Sequence, residues 1–289
     1  MGRIFKILLC GAIALGSIAA DNEASPVTKA RVGAWEINYD TDSCNLLAEF
    51  GDGPQTTFIR LTRYQPQDSF DLIVYGAPYH FAPAIVSVRI GFGLAAPAKR
   101  EAMTGQAGNK LPLLLINSVR LDGWEKKKPD EQGPPITAAQ EERATMIDLT
   151  IPGGKRFRLE TGSFAKPMAA MRACVDDLIK SWGYDPAQQA ALAAPARPTK
   201  NPGSWLTNND YPSGSVFAGH NGVVQFRLDI DAAGKVAGCH ILHRTNPDDF
   251  ADMTCKLISK RAKFSPARDQ NGVPVSSYYI DRARFIIPD

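Results

Sequence analysis

Residues 222–234 read GVVQFRLDIDAAG, and they set the architecture of the last third of the chain. Apolar and polar side chains alternate along this stretch, which predicts a half-buried strand. Asp231 favours a turn and Gly234 is free to take a positive φ, so the chain should reverse there into residues 236–243. The apolar face of the resulting hairpin consists of Val224, Phe226, Leu228 and Ile230.

A helix and a third strand follow this hairpin. The run Asn246-Pro-Asp-Asp249 suits a helix start, and Phe250, Met253 and Leu257 recur at helical spacing after it. Residues 276–286 are rich in aromatic and β-branched side chains, which favours a strand. We predict an antiparallel three-stranded sheet with the helix on one face and the strands in the order second, first, third.

Five short motifs in this region occur in a familiar order. They are Tyr211-Pro212, Gly222-Val-Val224, Asp231-x-x-Gly-Lys-Val236, Phe264-x-Pro-Ala-Arg268 and Gly272-x-Pro-Val275. Residues 204–289 therefore resemble the C-terminal domain of TonB-family energy transducers. The resemblance implies a domain that binds the TonB box of outer-membrane transporters, by addition of a strand to an exposed sheet edge.

The last strand should be that edge. One of its faces carries Tyr278, Ile280, Arg282 and Arg284, which we predict to bind a partner strand. The other face carries Tyr279, Asp281, Ala283 and Phe285, which should meet the helix. The alternative for Arg282 and Arg284 is that they only protect the edge from aggregation.

The first twenty residues have the pattern of a secretory signal peptide. Arg3 and Lys6 precede an apolar run over residues 7–18, and small residues follow at Ala19 and Ala20. The apolar run is shorter than the roughly 20 residues of a membrane-spanning helix. Cys10 raises the alternative of a lipoprotein, but Leu9 stands where a small residue is needed. With the TonB resemblance, we expect export to the periplasm of a Gram-negative bacterium through a cleaved leader, without a permanent membrane anchor.

Four cysteines remain after this leader, and four cysteines allow three disulfide connectivities. Cys239 lies on the predicted second strand, and Cys255 lies on the facing side of the helix that should cover it. This placement selects Cys239 with Cys255 and leaves Cys44 with Cys174. A zinc site built from Cys239, His243 and Cys255 is the alternative if the thiols stay reduced.

Residues 31–184 match no family that we can name. Short apolar runs at 34–39, 44–50, 57–64 and 70–75 predict an antiparallel meander, which residues 84–92 and 111–117 should continue. Residues 126–140 read as a polar loop, and 145–151 with 156–161 as a hairpin around Gly153 and Gly154. A helix over 168–182 should close this α+β domain. A Pro- and Ala-rich linker is predicted at 185–203.

Composition and motifs favour a binding protein over an enzyme. The formal net charge of +3 is too small to indicate a nucleic-acid-binding protein. His240 and His243 stand three apart on a predicted strand, so they should point to opposite faces. The sequence contains no nucleophile elbow, Walker loop or His-Glu-x-x-His motif, and we predict no cofactor or metal.

We therefore expect a non-enzymatic periplasmic binding protein whose partners are proteins of the cell envelope, with outer-membrane transporters as candidates. Energy transduction also needs a membrane anchor and a long Pro-rich spacer, so we do not expect it from this chain alone. One alternative is a structural or envelope-associated protein whose TonB-like domain only docks its own N-terminal domain. Another is an unrecognised hydrolase in the N-terminal domain.

Overall fold

The computed structural model describes residues 25–76, 85–127, 131, 133–245 and 248–287 of the chain. The predicted leader at 1–20 and the start of the helix signal at Asn246 and Pro247 lie outside the described residues. Within these ranges the protein has a β-rich N-terminal region and a small three-stranded sheet with a helix near its C-terminus, as the sequence predicted.

In the described part of the chain, nine strands close into a barrel. The barrel order is β1-β2-β3-β4-β7-β6-β5-β8-β9, and β1 closes it by pairing in parallel with β9. The bounds are β1 Val27–Tyr39, β2 Cys44–Phe50, β3 Thr57–Arg63, β4 Phe70–Gly76, β5 Ile85–Gly91, β6 Ala98–Ala107, β7 Leu111–Val119, β8 Met146–Thr150 and β9 Arg156–Glu160.

The first four strands form the predicted meander, but its continuation differs from the prediction. β4 pairs with β7 rather than with β5. The strand β6 lies between β7 and β5 and pairs with both. β6 was not predicted, because its residues read AKREAMTGQA and show no apolar alternation. β1 begins at Val27, before the first predicted run at 34–39, and residues 27–30 pair with β9.

The barrel interior is a packed apolar core. Alternate residues of the strands point inward, including Leu46, Ile59, Leu72 and Ile147, each at most 1% exposed. The helix α1 (Ala138–Arg143) begins inside the stretch predicted as a polar loop. Its start carries a capping box between Thr137 and Gln140, which is a signal that can be read from the sequence.

The long helix α2 (Ala165–Ser181) packs against β1 and β2 and adds its apolar face to the same core. The predicted disulfide between Cys44 and Cys174 joins the start of β2 to the middle of this helix. The described chain contains no helix long and apolar enough to cross a membrane.

Residues 185–203, predicted as a linker, contain the short helix α3 (Pro186–Ala190) and the two-residue strand β10 (Arg197–Pro198). Leu192 and Ala196 from this segment pack into the core of the C-terminal sheet. The segment is therefore folded onto the C-terminal region.

The C-terminal region has the predicted order of elements. After the short helix α4 (Ser213–Phe217) come β11 (Gly222–Ile230), β12 (Val236–Arg244) and the helix α5 (Asp249–Arg261). Three two-residue strands then lead into the last strand, β16 (Ser277–Phe285). They are β13 (Phe264–Ser265), β14 (Ala267–Arg268) and β15 (Pro274–Val275). The sheet order is β12-β11-β16, all antiparallel, and a disulfide joins Cys239 on β12 to Cys255 on α5, as predicted.

One expectation for the central strand was wrong. We predicted that β11 is half-buried, but Gln225 and Arg227 on its polar face are 7% and 5% exposed. The barrel covers this face, because the sheet packs against the outside of β3, β4 and β7, where Arg60, Asp71 and Asn117 lie. The C-terminal sheet is thus enclosed between α5 and the barrel.

Candidate functional site: the edge of β16 and the cleft beside it

Strand β16 lies at the edge of the C-terminal sheet. It pairs with β11 along its whole length, and no second strand pairs with it among the residues described. The topology requires this position, since α5 returns the chain so that β16 runs antiparallel to β11 on the side away from β12. An edge strand presents unpaired N–H and C=O groups, which is the prerequisite for strand addition.

The two faces of β16 are used as its alternation predicted. Tyr279, Ala283 and Phe285 pack in the core beneath α5. The ring of Phe285 stacks on Phe250 of α5 with centroids 4.3 Å apart. The opposite face, which carries the four predicted partner-binding residues, lies against the barrel.

The side chain of Arg282 makes the central contact with the barrel. Its Nη2 donates to both carboxylate oxygens of Asp71 on β4, at 2.8 and 2.6 Å, and its Nε donates to Gln225. Arg284, two residues further along β16, makes a longer ion pair with Glu101 of β6, at 3.7 Å, and both of these side chains are well exposed. Ile280 packs with Tyr64 and Leu242 in a small apolar cluster between the sheet and the barrel.

Tyr278 is held by aromatic rings at the end of α2. Its ring centroid lies 5.4 Å from Trp182 and 5.3 Å from Tyr184. This burial raises the pKa of Tyr278 to about 12, so its hydroxyl stays protonated. The guanidinium of Arg227 lies 4.3 Å above the ring of Trp182, which adds a cation–π contact to the same cluster.

The four predicted residues therefore use their side chains within the molecule, whereas their backbone groups remain at the edge. The N–H of Arg282 donates to the side chain of Asp281 at 2.8 Å, so it points away from β11. N–H and C=O groups alternate in direction along a strand. By this alternation the backbone groups of Tyr278, Ile280 and Arg284 also point outward. Ser276, at the start of the edge, is covered, since its carbonyl accepts from Gln189.

A cleft of about 810 Å³ lies beside the middle of this edge. Ile280, Asp281 and Arg282 form one wall, and Pro195 lies next to them. The rim of the barrel forms the other wall, through the β3–β4 loop at residues 65–69, the end of β7 and residues 120, 124–126, 131 and 133. An extended segment that paired with β16 would lie in this cleft.

The arginines that border the cleft are already paired. Arg100 donates to Glu125 at 2.6 Å, and Arg120 donates to Asp122 at 2.7 Å. Hydrogen bonds from Arg120 hold the pKa of Asp122 below its usual range against the opposing effect of burial. In contrast, the carboxamide oxygen of Asn117 is buried and has no hydrogen-bond partner among the described residues.

Sequence reasoning found the edge strand but missed the residues of the barrel that border it. Asp71, Asn117 and Arg120 stand on strands or strand ends far from β16 in the chain, and only the packing brings them together. The polar outer positions of β4 and β7 carry no local signal that distinguishes them from residues exposed to solvent.

The structure also shows where the cysteines and histidines of the alternative zinc site lie. Cys239 and Cys255 form a disulfide, so their sulfurs are not free for the zinc site considered above. His240 bonds to Asp229, and His243 borders the interface pocket together with Gln225, so both face the barrel. Our expectation of opposite faces was wrong because the register of β12 shifts at a bulge beside Gln225 and Phe226. The described residues include no group of three or more His, Cys, Asp or Glu placed to hold a metal ion.

Comparison with known proteins bears on the C-terminal part of the chain. No curated protein and no solved structure matches the sequence. Residues 207–287 match the family described as "Gram-negative bacterial TonB protein C-terminal", in agreement with the motifs of this segment.

Proposed function

We propose that this chain is a non-enzymatic binding protein of the Gram-negative cell envelope, which captures an extended segment of a partner protein on the edge of β16. The observation that carries the proposal is the position of β16 at the edge of its sheet, with no second strand paired to it among the described residues, beside a cleft of about 810 Å³. The match of residues 207–287 to the TonB C-terminal family supports an envelope location and a protein partner. Outer-membrane transporters are the candidate partners.

The interface with the barrel makes this edge a rigid template. Arg282 and Ile280 are anchored on the barrel through their side chains, so the backbone between them is already ordered before a partner arrives. An incoming strand then loses only its own conformational freedom, which favours binding. Backbone hydrogen bonds supply the affinity in this mode, and neighbouring side chains supply the specificity.

Replacement of Ile280 tests the edge directly. Ile280→Pro removes an outward N–H and should abolish the binding of an extended peptide. Ile280→Ala removes a similar apolar contact with Tyr64 and Leu242 but keeps the N–H, so it should bind normally. Backbone amide shifts of the full mature chain, titrated with a labelled peptide from an outer-membrane transporter, give the readout.

Shifts along residues 278–284 that disappear in Ile280→Pro and persist in Ile280→Ala are the expected result. Shifts confined to α5, or equal loss of binding in both variants, would place recognition elsewhere. A pull-down of outer-membrane proteins with the mature chain then identifies the partner.

Intact-mass measurement of the exported protein tests the leader, since a mass that includes residues 1–19 or a lipid group contradicts cleavage.

The second candidate is a structural role, in which the TonB-like sheet serves only to dock the N-terminal region. The burial of Gln225 and Arg227 between sheet and barrel favours it. The two candidates differ at the edge, because a purely structural role leaves the amides of residues 278–284 unchanged in the same titration.

A further inference from the structure

We propose that Asp281 makes the edge of β16 selective for extended segments that carry a lysine or an arginine at the position opposite it. This inference rests on the proposed function, since it concerns the chemistry of the strand that β16 would accept. It derives from the contacts of one carboxylate in the middle of the edge.

The carboxylate of Asp281 covers the middle of the edge in the free protein. One of its oxygens accepts the outward N–H of Arg282 at 2.8 Å, and the other accepts the hydroxyl of Tyr279 at 2.7 Å. The outward N–H groups of an edge strand are the donors that an added strand uses. An added strand whose carbonyl takes the Arg282 N–H therefore displaces one oxygen of Asp281 from its partner.

Asp281 has no cationic partner among the described residues, although the cleft beside it is charged. Each arginine of the lining is paired with another carboxylate, namely Arg100 with Glu125, Arg120 with Asp122 and Arg282 with Asp71. The other two carboxylates of the lining accept hydrogen bonds elsewhere, Asp68 from Arg120 and Glu131 from the Lys127 N–H. Lys126, the remaining cation of the lining, is exposed and makes no ion pair with Asp281 in this structure. The displaced oxygen of Asp281 is therefore left to water unless the added strand supplies a cation.

The geometry of strand addition places a side chain of the partner next to this carboxylate. An antiparallel strand that pairs with the backbone of Ile280 and Arg282 leaves Asp281 in the non-hydrogen-bonded pair between them. In such pairs the opposite Cα atoms are only about 4.5 Å apart and the side chains are closest. Asp281 lines the cleft and is only partly buried, so the side chain opposite it can reach its carboxylate.

The charge of the opposite side chain then decides how well the strand binds. A lysine or an arginine replaces the lost hydrogen bond of Asp281 by a charge-assisted one. A glutamate or an aspartate faces a like charge, which destabilises a cross-strand pair. Arg282 does not oppose a partner cation at this place, because its guanidinium points to the other face of the sheet and is bound to Asp71.

Peptide binding to the full mature chain tests the proposal. The probes are labelled peptides of roughly seven residues, matched to the length of the free edge, in which valine and threonine alternate around a central lysine, glutamine or glutamate. The lysine peptide should bind roughly threefold to fivefold more tightly than the glutamine peptide, the effect of one cross-strand ion pair, and the glutamate peptide should bind most weakly. The preference for lysine should shrink when the salt concentration rises from about 0.1 M to about 1 M, because salt screens a partly exposed ion pair.

Two variants separate the charge of Asp281 from its hydrogen bond. Asp281→Asn removes the charge but keeps an oxygen that can accept the Arg282 N–H, so the lysine and glutamine peptides should bind it equally. Asp281→Ala also frees that N–H, so it should bind the glutamine peptide more tightly than the native chain does. The matched control is Asp252→Asn, at an exposed carboxylate of α5, which should keep the lysine preference. Thermal unfolding verifies that the variants are folded, and the salt dependence of the native chain tests the charge without any variant.

The outcomes separate this inference from the proposed function. Equal affinities of the native chain for all three peptides, with amide shifts along β16, would overturn the selectivity and leave strand addition intact. A lysine preference that persists in Asp281→Asn would overturn the role of Asp281 as well. No shift along residues 278–284 with any peptide would overturn both.

Discussion

At the scale of single residues, the contact between Arg282 and Asp71 holds the C-terminal sheet on the barrel. Both side chains are largely buried, at 18% and 12% exposed, and the guanidinium also bonds to Gln225. Loss of one partner from such a pair leaves the other charge buried without compensation.

We predict that Arg282→Met lowers the free energy of unfolding by roughly 3 kcal/mol, because the carboxylate of Asp71 loses its cation. Arg284→Met is the matched control on the same strand. Its pair with Glu101 is long and exposed, so the loss should stay below about 0.5 kcal/mol. Chemical denaturation of the two variants measures the difference, and similar losses would contradict the role assigned to Asp71.

His243 lies in the same interface. Burial lowers the pKa of His243, and nearby arginines lower it further, whereas Asp71 opposes them. The cations come from the elements packed around it, namely Arg60 of β3, Arg282 of β16 and Arg244 of β12 itself. The folded protein therefore favours the neutral imidazole.

This sign gives a pH dependence. The unfolded chain binds a proton on His243 below about pH 6.5, while the folded protein resists it, so the stability falls as the pH drops from 7 towards 5. His243→Gln should flatten this part of the stability curve. Denaturation of both proteins at several pH values checks it, and parallel curves would show that His243 does not contribute.

At the scale of elements, the hairpin of β11 and β12 depends on its turn. Gly234 has a φ of +77° and its N–H donates to Asp231 at 2.9 Å. The backbone of Phe264 packs directly on it, and a Cβ at this position would clash with the Phe264 carbonyl oxygen. The glycine thus serves both the turn and the close approach of the chain after α5.

Gly234→Ala should therefore cost roughly 3 kcal/mol or more, from backbone strain together with the steric clash. Gly272→Ala is the matched control, since Gly272 has the same φ of +77° but no atom within 4 Å of the added Cβ. It should cost only about 1–2 kcal/mol. Thermal denaturation of the two variants separates strain from clash, and equal costs would remove the close approach from the explanation.

At the scale of the whole molecule, the barrel and the C-terminal sheet share an interface of buried polar and aromatic side chains. Tyr184 links the two regions, because its hydroxyl lies within hydrogen-bond distance of both the Asp229 carboxylate and the Ser277 carbonyl, at 3.1 and 3.0 Å. Trp182 contacts Tyr278 and Arg227 at the same place. These contacts should couple the unfolding of the two regions.

We predict one cooperative unfolding transition for the intact protein and two for Trp182→Ala, which removes the aromatic contacts between the regions. Trp124→Ala is the control, as Trp124 stacks on Arg120 within the N-terminal region and should leave a single transition. Calorimetry distinguishes one transition from two. A single transition in Trp182→Ala would show that this cluster does not carry the coupling.

Local sequence patterns are sufficient to specify the elements of the C-terminal unit. The alternation over residues 222–230, the turn at Gly234 and the helical spacing after Asp249 are local patterns, and each produced an element within a residue or two of its predicted bounds. The placement of Cys239 opposite Cys255 followed from these elements, and so did the edge position of β16. Short-range sterics and burial on one face are sufficient to specify such features.

The contacts of the second face of that sheet depend instead on long-range packing. Gln225, Arg227 and Arg282 are polar residues that a local pattern assigns to solvent, yet they are buried against Asp71 and Trp182. β6 joins the barrel without an apolar alternation of its own, because its neighbours β5 and β7 supply the hydrogen bonds. The cleft combines residues far apart in the chain, and long-range packing between polar surfaces leaves no periodic signal in the sequence.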